Sequence, residues 1–98
     1  MEGRICWIYL LGKVAFMEHR FLQLLRERPM LCDGAMGTLL YARGIPYERC
    51  FDELNLSQPE LISSIHREYI SAGAEIVETN SFGANRIRLA NYNLESQV

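Results

Sequence analysis

The chain has 98 residues, 49% of them hydrophobic, with 10 basic against 12 acidic side chains and a formal net charge of −2. That length allows one small core, and so even a charge balance supplies no electrostatic footprint for nucleic acid or an anionic membrane. Cys6, Cys32 and Cys50 are odd in number and contain no C-x-x-C pair, so they read as reduced thiols of a cytoplasmic protein rather than as a disulfide or metal framework.

The first apolar run, ICWIYLL at 5–11, falls far short of the roughly 20 residues needed to span a bilayer. No small-residue cleavage site follows it, so it does not complete a signal peptide. Residues 1–16 are expected to be a non-native or disordered extension, with Met17 a plausible start of translation and 17–98 the N-terminal part of a single domain.

From Met17 onward Phe21, Leu22, Leu24 and Leu25 share a helical face among charged neighbours, which predicts an amphipathic helix ended by Pro29. MLC at 30–32 is a short continuous apolar run that suits a buried parallel strand. DGAMGT at 33–38 follows at once, and its two glycines predict a tight turn with backbone angles that residues bearing a Cβ avoid. Thr38 to Arg43 can make a helical turn or two before Gly44 and Pro46, and residues 45–56 show no clean period, which predicts a loop with short helical pieces.

A sharper start signal comes next. Ser57, Pro59 and Glu60 form a capping-box pattern, and Leu61, Ile62, Ile65, Tyr69 and Ile70 recur at spacings of three and four up to Gly73, which predicts a helix over 58–72. Ala74 to Thr79 then reads as a second strand, and 83–92 as the start of another helix. Strands alternating with helices imply an α/β fold with right-handed crossovers and a parallel sheet.

In such folds ligands bind beyond the carboxyl ends of the strands, where DGAMGT and the second motif, VETNSFGAN at 77–85, would both lie. Asp33 could accept hydrogen bonds from an ammonium group, and the amides of the 34–37 turn could receive a carboxylate, which together describe a site for an amino-acid zwitterion. The structural alternative is that Asp33 caps its own turn. Thr79 and Ser81 offer hydroxyls, Asn80 an amide, and Phe82 an apolar wall or plain packing. A phosphate-binding reading of the glycine turn fits poorly, because the Asp33 carboxylate would repel a phosphate at close range. His66, without a second ligand at metal spacing, reads as a packing or surface histidine. Tyr69 is read as core, Cys32 as a buried small hydrophobe, and Cys50 as a loop cysteine beside Arg49.

DGAMGT at 33–38, NLSQPELISSIHREYISAGAEIVETNSFGAN at 55–85 and the spacing between them resemble the N-terminal part of homocysteine S-methyltransferase domains, over roughly residues 18–92. The look is closest to those fused to a methylenetetrahydrofolate reductase or standing at the front of cobalamin-dependent methionine synthase. The resemblance implies a (β/α)8 TIM barrel that binds homocysteine and transfers a methyl group to its thiol to make methionine. It implies Zn²⁺ held by three cysteine thiolates, with methyl-folate or cobalamin as a methyl-donor system; other families of donor remain open.

Carried over by motif, Asp33 would contact the homocysteine amino group, the backbone at Gly34 and Ala35 its carboxylate, and Thr79 and Phe82 the rest of the pocket. Cys6, Cys32 and Cys50 match none of the family's zinc positions, so no metal ligand and no catalytic residue is assigned, and the zinc cysteines are expected beyond Val98. A barrel takes about 250 residues, so this chain is expected to supply two βα units, to be inactive alone, and to bind none of those cofactors. Its open sheet edge would allow self-association, and a truncated non-catalytic binding or assembly protein is the alternative reading.

Overall fold

The computed structural model describes residues 20–98 and divides the chain into two compact units with their boundary between Met30 and Leu31. The residue 1–16 extension expected from sequence lies outside the described residues. In the first unit, residues 20–27 are helical (α1) and the helix ends two residues before Pro29, as a ring without an N–H and with a fixed φ requires. Phe21, Leu22 and Leu25 are exposed on it.

The second unit is built from α2 (Gly37–Ala42), α3 (Leu54–Ser57), α4 (Pro59–Ser71), α5 (Arg86–Ala90) and a terminal 3₁₀ turn (Glu95–Gln97). About half of the described residues are helical and none lies in a strand. The expected α/β arrangement of two βα units of a barrel is therefore overturned. Where two parallel strands were expected, one isolated parallel bridge pairs Cys32 with Ile76. Leu31 C=O accepts the N–H groups of Glu75 (2.8 Å) and Ile76 (3.2 Å), and Asp33 N–H donates to Ile76 C=O (2.9 Å).

The ladder stops there for a visible reason. The next rung would bring Glu78 N–H to the Asp33 carbonyl, but it donates to the Asp33 side chain instead, at 3.0 Å from Oδ2. Two short extended segments with no further strand beside them also leave their apolar side chains in water: Leu31 and Val77 are both exposed. An unsupported pair of this kind has too few hydrogen bonds and too little buried area to propagate. The open sheet edge expected as a self-association route reduces to this one bridge.

α4 matches the helix expected over 58–72 to within a residue at each end. Pro59 opens it, where its missing N–H costs nothing, and Gly73 follows its C-cap with φ of +112°, a left-handed conformation that favours glycine. The expected capping box does not form. Gln58 is the N-cap and makes no side-chain cap bond, while Ser57 ends α3 and its hydroxyl donates to Glu53 Oε2 at 3.0 Å. Ile62 and Ile65, three apart on α4, turn their shared face inward.

They meet Leu40 of α2, Ile45 and Leu54 of α3 in the core, with Leu40, Leu54 and Ile65 fully buried. Arg43, the C-cap of α2, ties that helix to α4 through a forked contact to both Glu68 carboxylate oxygens at 2.6 Å and a 3.0 Å bond to Ser64. Met36, Phe51 and Tyr69 pack on the rim of this core; Met36 and Phe51 line the site described next, and Tyr69 bonds to its turn at Ala35.

Candidate functional site

A cavity of about 510 Å³ opens between the turn after the bridge at Cys32 and the turn after the bridge at Ile76. Asp33, Gly34 and Ala35 line one side, and Thr79 and Phe82 the other, so the five residues singled out from the two motifs share one wall system. One parallel bridge is enough to align the two exits, because it sets Asp33 and Glu78 in register.

Asp33 does not cap its own turn. Its Oδ2 accepts Glu78 N–H across the bridge and its Oδ1 accepts the Cys32 thiol at 3.4 Å, which holds the carboxylate at the cavity wall. Among the described residues the amide N–H groups of 34–36 donate to no protein acceptor and remain available to an incoming oxygen. Neither Gly34 nor Gly37 takes a positive φ, contrary to the expectation for this turn. Their smallness serves close approach instead. A Cβ on Gly34 would lie 3.0 Å from the Tyr69 hydroxyl, and one on Gly37 would lie 3.3 Å from the Phe51 ring.

Tyr69 is half-buried rather than wholly core, and its hydroxyl donates to Ala35 C=O at 2.8 Å, fixing the turn from α4. On the opposite wall Thr79 and Ser81 share a 2.6 Å hydroxyl contact, and Ser81 N–H folds back to Thr79 C=O at 2.9 Å. Phe82 is 94% exposed, so it is not plain packing. Asp33, Asp52 and Glu78 and the basic residues Arg49, itself paired with Glu53, and Arg88 line the same space, a mixture of signs that suits a zwitterion better than a simple anion.

Sequence reasoning passed over Asp52 and Asn55, and read Asn80 only for its amide at the second motif. Asp52 Oδ1 accepts the buried Gly83 N–H at 2.9 Å. Asn80 and Asn55 exchange bonds, Asn55 Nδ2 to Asn80 C=O at 2.6 Å and Asn80 Nδ2 to Asn55 Oδ1 at 3.1 Å, and Asn80 also reaches Phe51 C=O at 2.8 Å. FDELN at 51–55 has no period and no motif, so only the tertiary contact marks it.

Cys32 is exposed, not buried as expected, while Cys50 is buried. The Cys32 thiol is held above its ordinary pKa, first by desolvation, then by its hydrogen bond to Asp33 and by the negative charges of Asp33 and Glu78. A thiol that donates a hydrogen bond and keeps its proton is the reverse of a zinc ligand, which binds as thiolate. Among the described residues no group of three His, Cys, Asp or Glu side chains could hold a metal ion. These residues therefore do not fit a zinc ion. His66 is half-buried, with its Nδ1 shielded from solvent and lacking a hydrogen-bond partner. No helix among the described residues is long and apolar enough to cross a membrane.

Comparison with known proteins identifies a family. The homocysteine S-methyltransferase family matches residues 30–98. Methionine synthase of Mycobacterium tuberculosis is 41% identical over 85 residues, and that of Mycobacterium leprae 40% identical over 85, each alignment covering 79% of this chain and 7% of the relative. The chain thus spans a small fraction of the length of these curated relatives. No solved structure matches it. With a family match over more than two thirds of its residues, and both quoted motifs inside the matched span, the chain belongs to the homocysteine S-methyltransferase family.

Proposed function

We propose that this chain forms the homocysteine-binding part of an enzyme that transfers a methyl group to the homocysteine thiol to make methionine. The observation that carries the reading is that residues from two separate motifs, Asp33, Gly34 and Ala35 from one and Thr79 and Phe82 from the other, line a single cavity bearing charges of both signs. In this reading the Asp33 carboxylate receives the substrate ammonium, and the amides of Gly34 and Ala35 receive its carboxylate. Thr79 supplies a hydroxyl and the exposed Phe82 ring an apolar contact along the side chain that carries the sulfur.

The role is binding and orientation. Zinc would deprotonate the substrate thiol while leaving it nucleophilic in a complete enzyme, but the described residues do not fit the ion, and no step through it is assigned to them. Thiol deprotonation and methyl delivery from methyl-folate, cobalamin or another donor are assigned to no residue described here, so the isolated chain is expected to show no turnover. A cytoplasmic setting, where Cys32 and Cys50 stay free thiols, completes the reading.

Calorimetric titration with L-homocysteine tests it. The expected result is saturable binding that weakens at least about tenfold in Asp33→Ala, the scale of a lost charge-assisted hydrogen bond. It should weaken likewise for 4-mercaptobutyrate, which lacks the ammonium group. Absence of saturable binding, or full affinity in Asp33→Ala, would overturn the proposal.

A further inference from the structure

We propose that Asp52 and Asn55, just before and within α3, are positioning residues, a latch that fixes the 79–83 turn against the cavity. Four hydrogen bonds carry this, and all run between the same two segments: Gly83 N–H to Asp52 Oδ1, Asn55 Nδ2 to Asn80 C=O, and Asn80 Nδ2 to both Asn55 Oδ1 and Phe51 C=O. The other bonds of the 79–83 turn are local: Ser81 N–H to Thr79 C=O, the Thr79–Ser81 hydroxyl contact, and the Ala84 and Asn85 N–H groups to Ser81 and Gly83 C=O. The turn lies outside any helix or strand and Phe82 is 94% exposed, so among the described residues the bonds to 51–55 are the long-range ones that place it.

The bond to Gly83 matters most because that residue is buried, and a buried N–H without an acceptor is costly. Asp52 also closes so tightly over Gly83 that a Cβ there would lie 2.5 Å from its Oδ2. The segment carrying Asp52 and Asn55 is itself anchored, since Leu54 between them is fully buried in the core. The chain of support therefore runs from core to Leu54, from Leu54 to the flanking polar pair, and from that pair to the turn that carries Thr79 and Phe82.

The latch rests on the homocysteine reading only for its affinity arm, so two readouts are needed. The first is amide hydrogen exchange of the full chain followed by NMR. In Asp52→Ala the Gly83 amide should exchange about tenfold faster, the scale of one lost hydrogen bond to a charged acceptor, while α4 amides keep their protection. Asp52→Asn retains an oxygen for the same bond and should stay within about threefold of the parent.

The second readout is homocysteine affinity, expected to fall about tenfold in Asp52→Ala and Asn55→Ala with α4 protection retained, and to be restored in Asp52→Asn. Unchanged Gly83 exchange in Asp52→Ala would overturn the latch. So would loss of protection at Gly83 and α4 together, which would mean a general fold defect. Equal loss of affinity in Asp52→Asn and Asp52→Ala would make Asp52 a charge that contacts substrate, and would overturn its positioning role. If the parent chain binds no homocysteine, the functional reading fails while the exchange readout still decides the latch.

Discussion

At Cys32 a surface thiol donates to the carboxylate that also receives Glu78 N–H, and its pKa is raised first by desolvation and then by Asp33 and Glu78. A raised value in the folded chain means that the thiol's contribution to stability is present below the unfolded-state pKa and is lost as pH rises through the folded one. Reactivity reads the same shift directly, because only the thiolate is alkylated. Peptide-mapped alkylation by iodoacetamide near pH 8 should be slower at Cys32 in the folded chain than in urea. Asp33→Asn, which keeps an acceptor but removes a charge, should speed it by roughly threefold or more, and the difference should vanish at strongly alkaline pH. Gly34 offers a second test at this scale. Its added Cβ would press on the Tyr69 hydroxyl and ring edge rather than strain its own backbone. Gly34→Ala should cost about 1 kcal/mol, and combining it with Tyr69→Phe should cost less than the sum of the two, as a double-mutant cycle in urea would measure.

Helix ends dominate at the scale of elements. Gly73 sits at φ +112° directly after the C-cap of α4, so Gly73→Ala forces a side chain into the left-handed region and should destabilise by about 1 kcal/mol or more. A lower urea midpoint at unchanged slope would show a loss of stability with no change in the surface exposed on unfolding. At α5 the cap is a real side-chain bond, Arg88 N–H to Asn85 Oδ1 at 3.0 Å. Five residues make a marginal helix. Asn85→Ala should therefore fray α5 locally, seen as faster amide exchange at Arg88 and Leu89, while α4 exchange stays unchanged. α2 and α3 lack side-chain caps and owe their helical form to burying Leu40 and Leu54.

For the molecule as a whole, the second unit rests on a core of five side chains, Leu40, Ile45, Leu54, Ile62 and Ile65. Ile65→Ala removes a fully buried side chain, and a change of this kind costs about 2–5 kcal/mol. Small domains hold about 5–15 kcal/mol in total, so this one substitution should remove a large share of the stability, seen by circular dichroism as a much lower urea midpoint. Exchange of a surface pair such as Arg43 and Glu68 should cost no more than about 1 kcal/mol, since both partners remain partly solvated. A result in which the two changes cost the same would contradict this core assignment. The cavity stands at the edge of that core, with Met36 and Phe51 belonging to both, so core substitutions should weaken the site as well.

What the amino-acid order determines by itself is local. The 3.6-residue spacing from Leu61 to Ile70, the opening Pro59 and the closing Gly73 delimit α4, because periodicity, a missing donor and a positive φ are properties of the chain alone. The two motifs were legible for the same reason: acid, glycines and hydroxyls signal their chemistry without a fold. That they share a cavity was expected only through a parallel sheet, which the structure reduces to one bridge. Strand formation was not legible, because a run such as MLC becomes a strand only if other segments pair with it, and here the Asp33 side chain takes the bond that would extend the ladder. Nor was the role of Asp52 and Asn55 visible, since their partners lie 31 and 25 residues away in sequence, respectively. Those contacts exist only because Leu54 is drawn into the core and carries both polar neighbours to the turn, a placement that packing decides and local sequence does not.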